Sequence, residues 1–175
     1  LSPEKSIQIH RDLGADFIVV FDECTPFNVN RDYTYESMLR SHRWAQRSIN
    51  SFDSQLKYKS KYGSAGPQEI YGIIQGGIYE DFREESIYFN ENLIETFGIA
   101  IGGSLGSNKD EMQKVVNFTA SKLNEIHPIH LLGIGDPVDI WTFVEQGIDT
   151  FDCVSPTRLA RHGAALVKGK RGKIN

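Results

Sequence analysis

Apolar residues along the chain fall into two alternating periods. Short continuous runs read as strands buried on both faces: 17–21 (Phe17-Ile18-Val19-Val20-Phe21), 70–75, 98–101, 130–134 and a last one ending at Asp152. Between them the period lengthens to about 3.6. Ser2, Pro3 and Glu4 predict an N-cap and first turn, with Ile7, His10 and Leu13 on one face before Gly14 stops the helix. Residues 33–61 predict one long amphipathic helix on Tyr35, Leu39, Ala45, Ile49, Phe52 and Leu56, followed by a loop over 62–68. A helix over 80–96 turns Phe82, Phe89 and Leu93 inward; another over 110–127 carries Met112, Val115, Val116, Thr119, Leu123 and Ile126. Asp136-Pro137 caps a helix over 138–146. Strand and helix alternate without a tandem repeat or low-complexity linker, which predicts parallel strands joined by right-handed crossovers.

In such sheets, barrel or open, chemistry gathers at the carboxyl ends of the strands. Asp22, Gln75, Gly102, Gly103 and Asp152 all fall there. Asp22 can accept two N–H bonds, Gln75 can donate and accept, and Gly103 lets a ligand carbonyl approach the backbone. Each also fits a plainer role: a helix cap, a solvated amide, a turn. The segment reading GIDTFDCVSPTR, with Arg161 after it, delivers Asp152 to a point where Pro156 is expected to forbid a normal continuation. Beside Arg158 and Arg161 an aspartate is held as the anion, available as nucleophile or counter-charge. The same residues also fit a buried Asp–Arg pair that fastens a loop.

With 175 residues and 39% apolar content the chain suits one domain, or part of one. Cys24 and Cys153 are far apart with no CxxC pair, so a reducing cytosol fits and a disulfide framework does not. The five histidines show no metal spacing and read as core or surface residues. Absence of a basic leader, and of an apolar stretch near the roughly 20 residues a membrane helix needs, predicts a soluble, cytoplasmic protein. The net charge of −4 argues against a generic nucleic-acid coat, yet 154–175 holds six basic residues and no acid. That end could meet phosphate, or be a solvated tail.

Four ordered motifs, Phe21-Asp22-Glu23-Cys24-Thr25-Pro26, Ile73-Ile74-Gln75-Gly76-Gly77, Ile101-Gly102-Gly103 and GIDTFDCVSPTR, resemble those of the tRNA-guanine transglycosylases, or queuine tRNA-ribosyltransferases. The resemblance implies a (β/α)8 TIM barrel, with residues 1–175 supplying about five consecutive β/α units as a partial catalytic domain. It implies that Asp152 attacks the anomeric carbon of a guanosine at the wobble position of tRNA. A 7-deazaguanine (7-aminomethyl-7-deazaguanine) then replaces guanine with retention, in queuosine biosynthesis. Asp22, Gln75, Gly102 and Gly103 would bind the base, and Arg158 and Arg161 backbone phosphate. Cys24 matches the bacterial pattern and reads as packing. The family's GGLSVGE is here Gly102-Gly103-Ser104-Leu105-Gly106-Ser107-Asn108, so the contacts to the incoming base are not mapped. The upstream SDSGGF segment with the acid/base aspartate and the downstream CxCxxC…H zinc site are absent from this sequence. Zinc and a homodimer are therefore expected of the full-length parent, no cofactor of this chain, and no turnover from this piece alone. The competing readings are an archaeal transglycosylase acting at another tRNA site, a barrel enzyme gripping a phosphorylated metabolite through Gly102-Gly103 and Gly133–Gly135, and a non-catalytic partner subunit.

Overall fold

A computed structural model describes residues 1–55, 66–92, 94–167 and 170–173. Five strands, β1 (Phe17–Val19), β2 (Glu69–Ile74), β3 (Gly98–Ile101), β4 (Ile129–Leu131) and β5 (Thr150–Phe151), pair in parallel and in chain order. Helices α1 (Pro3–Leu13), α2 (Arg31–Ser54), α3 (Glu80–Asn92), α4 (Lys109–Lys122) and α5 (Pro137–Val144) lie before, between and beside them. The sheet is a curled half-barrel: five consecutive units of a (β/α)8 barrel.

Two apolar layers fasten the helices to the sheet. Ile7, Ala45, Ile49 and Phe52 of α1 and α2 close over Ile18, Val20 and Ile70. Val116 and Ala120 of α4, with Phe143 of α5, close over Ile74, Ile99, Ile101 and Leu131. Helix starts are set by side-chain caps: Ser2 accepts from the Lys5 N–H, Asn30 from Tyr33, Asn108 from Glu111 and Asp136 from Val138.

Several expectations change. β1 is an edge strand, not one buried on both faces: Phe17 is 59% exposed, its ring stacked on Phe97 and edge-on to Tyr71. Leu13 and Ile126 are exposed, the first at the end of α1 and the second beyond the end of α4. α2 starts earlier than expected, capped by Asn30, and ends at Ser54; α3 stops at Asn92 and α4 at Lys122. Leu56, the rest of the expected helix and most of the following loop lie outside the described residues, as does Leu93. Pro156 does not break the chain's course but opens a helix, α6 (Ser155–Arg161), because proline fits a first turn whose N–H groups have no intrahelical acceptor. An antiparallel hairpin of β6 (Ala164–Val167) and β7 (Lys170–Lys173) follows where a basic tail was one reading.

Candidate active site

The ladder runs one residue past β1, where the Val20 N–H donates to the Tyr71 carbonyl, 3.0 Å. The chain then leaves the sheet and is caught by α2. Ser48 Oγ accepts the Phe21 N–H and Ser41 Oγ the Glu23 N–H, both at 3.0 Å, and the Thr25 and Ser37 hydroxyls meet at 2.6 Å. Glu23 is further pinned by the Tyr33 hydroxyl and by Arg40. Asp22, on the opposite parity of this extended strap, instead reaches Gln75, whose Nε2 donates to Asp22 Oδ2 at 2.6 Å. Burial raises the Asp22 carboxyl above its usual value, against the opposing pull of the Gln75 hydrogen bond. Cys24 is exposed, so it does not pack in this chain's core.

Gln75 is 0% exposed, and its backbone N–H donates to Ser86 Oγ at 3.1 Å. Its Oε1 is buried without a hydrogen-bond partner among the described residues. That oxygen faces Gly103, where any Cβ would collide with it; the glycine also holds φ +75°, a conformation side chains resist. A buried acceptor without a donor is costly unless something donates to it. Asp22, Gln75 and Gly103 thus form one cluster, with a carboxyl at one end and a spare carbonyl oxygen.

The loops beside this cluster are tied by Arg83 of α3, which is 1% exposed. Its Nε donates to the Gly77 carbonyl at 2.8 Å; Nη2 donates to Gly102 and Ser104 carbonyls at 3.0 and 3.3 Å; Nη1 donates to Ile74 at 3.4 Å. One guanidinium therefore fastens the loop after β2 to the loop after β3. Burial pushes its pKa down to about 9, which leaves it cationic at neutral pH. Further along the second loop, the Glu111 carboxylate turns back to accept the Ser107 N–H at 2.6 Å and its hydroxyl at 3.0 Å.

Asp152 lies one residue past β5, its side chain 54% exposed. Its Oδ1 accepts the Gly133 N–H at 2.9 Å and pairs with His130 Nε2 at 3.2 Å. His130 Nδ1 in turn meets Thr150 Oγ1 at 2.9 Å. Asp152 is therefore neither buried nor held by the arginines. Arg158 and Arg161 sit three residues apart on α6, both exposed, on the first helix after the carboxylate. His130, read from sequence as core or surface, is a partner of Asp152.

Register relates the two clusters. Ile73, Ala100, His130 and Thr150 are abreast across β2 to β5. Strand side chains repeat every two residues, so the next row on the same face is Gln75, Gly102, Leu132 and Asp152. A Cβ on Gly102 would meet Ile73 Cδ1 at 2.7 Å and Leu132 Cδ1 at 3.2 Å, so the row's floor is apolar and tight. By this register the Gln75–Gly103 cluster and the Asp152 carboxylate share one rim and one face.

Sequence reasoning passed over Arg83, the α2 serines and His130. Arg83 falls in register with Ile87 and Asn90 on the buried face of α3, a charge where the period calls for an apolar residue. Ser37, Ser41 and Ser48 recur at helical spacing on one face of α2. Among the described residues no group of three or more His, Cys, Asp or Glu could hold a metal ion.

The family description Queuine tRNA-ribosyltransferase matches residues 1–175. Proteins named Queuine tRNA-ribosyltransferase from a Roseiflexus species and from Photobacterium profundum are 43% and 44% identical over 177 and 175 residues. Each comparison covers 99% of this chain and 44% of the relative. One from Fusobacterium nucleatum subsp. nucleatum is 41% identical over 173 residues, 98% of this chain and 44% of its own length. The chain spans less than half the length of these curated relatives. With a match along its whole length and a rim built from the motif residues, the chain belongs to the queuine tRNA-ribosyltransferase family.

Proposed function

We propose that the protein to which this chain belongs is a tRNA-guanine transglycosylase, and that Asp152 is its nucleophile. The observation that carries the reading is the state of the Asp152 carboxylate: Oδ1 is occupied by two partners, while the side chain is open to solvent on the rim shared with the Asp22–Gln75–Gly103 slot. Asp152 attacks C1′ of a wobble guanosine as the glycosidic bond breaks. The bond's electron pair leaves with guanine, which takes up a proton, and a ribosyl ester remains on the enzyme. A 7-deazaguanine that has given up its ring N–H proton attacks the same carbon and expels the carboxylate, so configuration is retained overall. The proton donor and acceptor for these steps are expected from residues outside this chain.

In the slot, the Asp22 anion accepts N–H groups of the base edge and Gly103 offers its backbone N–H to the base carbonyl. Gln75 Oε1 gains the donor it lacks. Arg158 and Arg161 present two cations to backbone phosphates flanking the flipped nucleotide. A cytoplasmic location, a homodimer and a zinc site built by other parts of the full-length protein belong to the same reading; among the described residues no helix is long and apolar enough to cross a membrane. The family likeness favours 7-aminomethyl-7-deazaguanine as the incoming base.

Full-length protein incubated with unmodified tRNA and trapped by denaturation is expected to carry tRNA covalently. Asp152→Asn is expected to lose the adduct and about 10⁴-fold or more of base exchange. An adduct undiminished in that variant would remove Asp152 as nucleophile.

A further inference from the structure

We infer that His130 is a positioning residue for Asp152, selecting which carboxylate oxygen attacks; this rests on the nucleophile reading above. His130 and Thr150 are abreast on β4 and β5, and Asp152 follows Thr150 by two residues on the same face. The three side chains form a chain, Thr150 Oγ1 to His130 Nδ1 at 2.9 Å and His130 Nε2 to Asp152 Oδ1 at 3.2 Å. When the threonine hydroxyl donates to Nδ1, the imidazole proton sits on Nε2, where it donates to the carboxylate. The Gly133 N–H donates to the same oxygen at 2.9 Å.

Two donors on Oδ1 fix the carboxylate's rotation about its terminal torsion. They also draw electron density from that oxygen, so Oδ2 is the better nucleophile and faces one direction. An arginine in this place would engage both oxygens in a fork and hold the group as an ion pair. A single imidazole N–H orients without occupying the attacking atom. Gly133 supplies the donor that mutation cannot easily remove; His130 supplies the one that can be tested.

The experiment measures single-turnover formation of the covalent adduct by full-length protein at saturating tRNA, beside tRNA affinity and melting temperature. Asp152→Asn serves as the zero. His130→Phe is expected to slow adduct formation by about 10- to 100-fold with tRNA affinity within about threefold of wild type. His130→Gln, whose Nε2 can donate from nearly the same place, is expected to recover most of that rate. Thr150→Val, at an exposed position, keeps the ring but releases its tautomer, and is expected to cost about three- to tenfold. Wild-type rates in both His130→Phe and Thr150→Val overturn the inference alone, as does a folded His130→Gln as slow as His130→Phe. A wild-type protein that forms no adduct overturns the nucleophile reading and this inference with it.

Discussion

Asp22 is the residue where stability and chemistry pull apart. Burial raises its carboxyl pKa, so the fold disfavours the anion that the proposed base recognition uses. A raised carboxyl contributes stability below the unfolded value, near 3.8, and that contribution is lost as pH rises through the folded value. Once pH has risen through that folded value, the charge is a burden on the fold. Asp22→Asn keeps an oxygen for Gln75 Nε2 and removes the charge, so its melting temperature at pH 7 is expected to equal or exceed wild type. Affinity for the base is expected to fall about tenfold or more, because one buried partner now offers a donor where an acceptor is needed. A fall in both together would assign Asp22 a structural role. Asp22, Gln75, Gly103 and Asp152 were legible in sequence because each closes an apolar run, and a polar residue there has few places to go but the rim. Arg83 and His130 were not, since their partners are backbone carbonyls and a side chain 22 residues away, contacts that only register and crossover create.

At the scale of elements, α2 does more than cover the sheet. Its buried face holds Ser37, Ser41, Ser48 and Ser51 among Met38, Ala45, Ile49 and Phe52. The apolar period was legible; the polar half of the same face was not, because serine is compatible with either side of a helix and only the passing strap gives it partners. Ser41 and Ser48 satisfy the N–H groups on either side of Asp22. Ser48→Ala leaves the part-buried Phe21 N–H without its acceptor. The expected loss is about 1–3 kcal/mol in denaturant unfolding, with weakened base binding that Asp22→Asn does not enlarge additively. His42, on the same helix, meets Ser86 Oγ at 3.0 Å and stacks on Phe89, and burial lowers its pKa to about 4. The unfolded chain takes up a proton near 6.5 that the fold refuses. Stability from this residue is therefore full above about 6.5 and lost as pH falls towards 4, an effect of about 3 kcal/mol. His42→Leu is expected to flatten the unfolding midpoint over that range, and an unchanged slope would show that other groups set it.

At the scale of the whole molecule, the alternation of periods was enough to give a parallel sheet in chain order, but no pattern within these residues can close it. Among the described residues β1 and β5 each pair on one side only. Phe17 stands exposed on the first edge, and Val138, Trp141 and Val144 form an exposed apolar stripe on α5 near the other. Open parallel edges with unpaired N–H and C=O groups recruit further strands, and an apolar stripe beside one adds a hydrophobic gain to that pairing. The relatives are more than twice as long, and in the full-length barrel proposed above the additional chain would pair with these edges. Residues 1–175 expressed alone should therefore self-associate, through the edges and not through the helical layer. Sedimentation velocity across a tenfold concentration range is expected to give a distribution that moves to larger species, and Trp141→Glu to move it back without restoring base exchange. The full-length protein should sediment as one discrete species, with fluorescence of Trp141 blue-shifted relative to the piece. A sharp monomer peak for 1–175 at all concentrations would mean that five strands close their own edges, and the half-barrel would then be a finished domain.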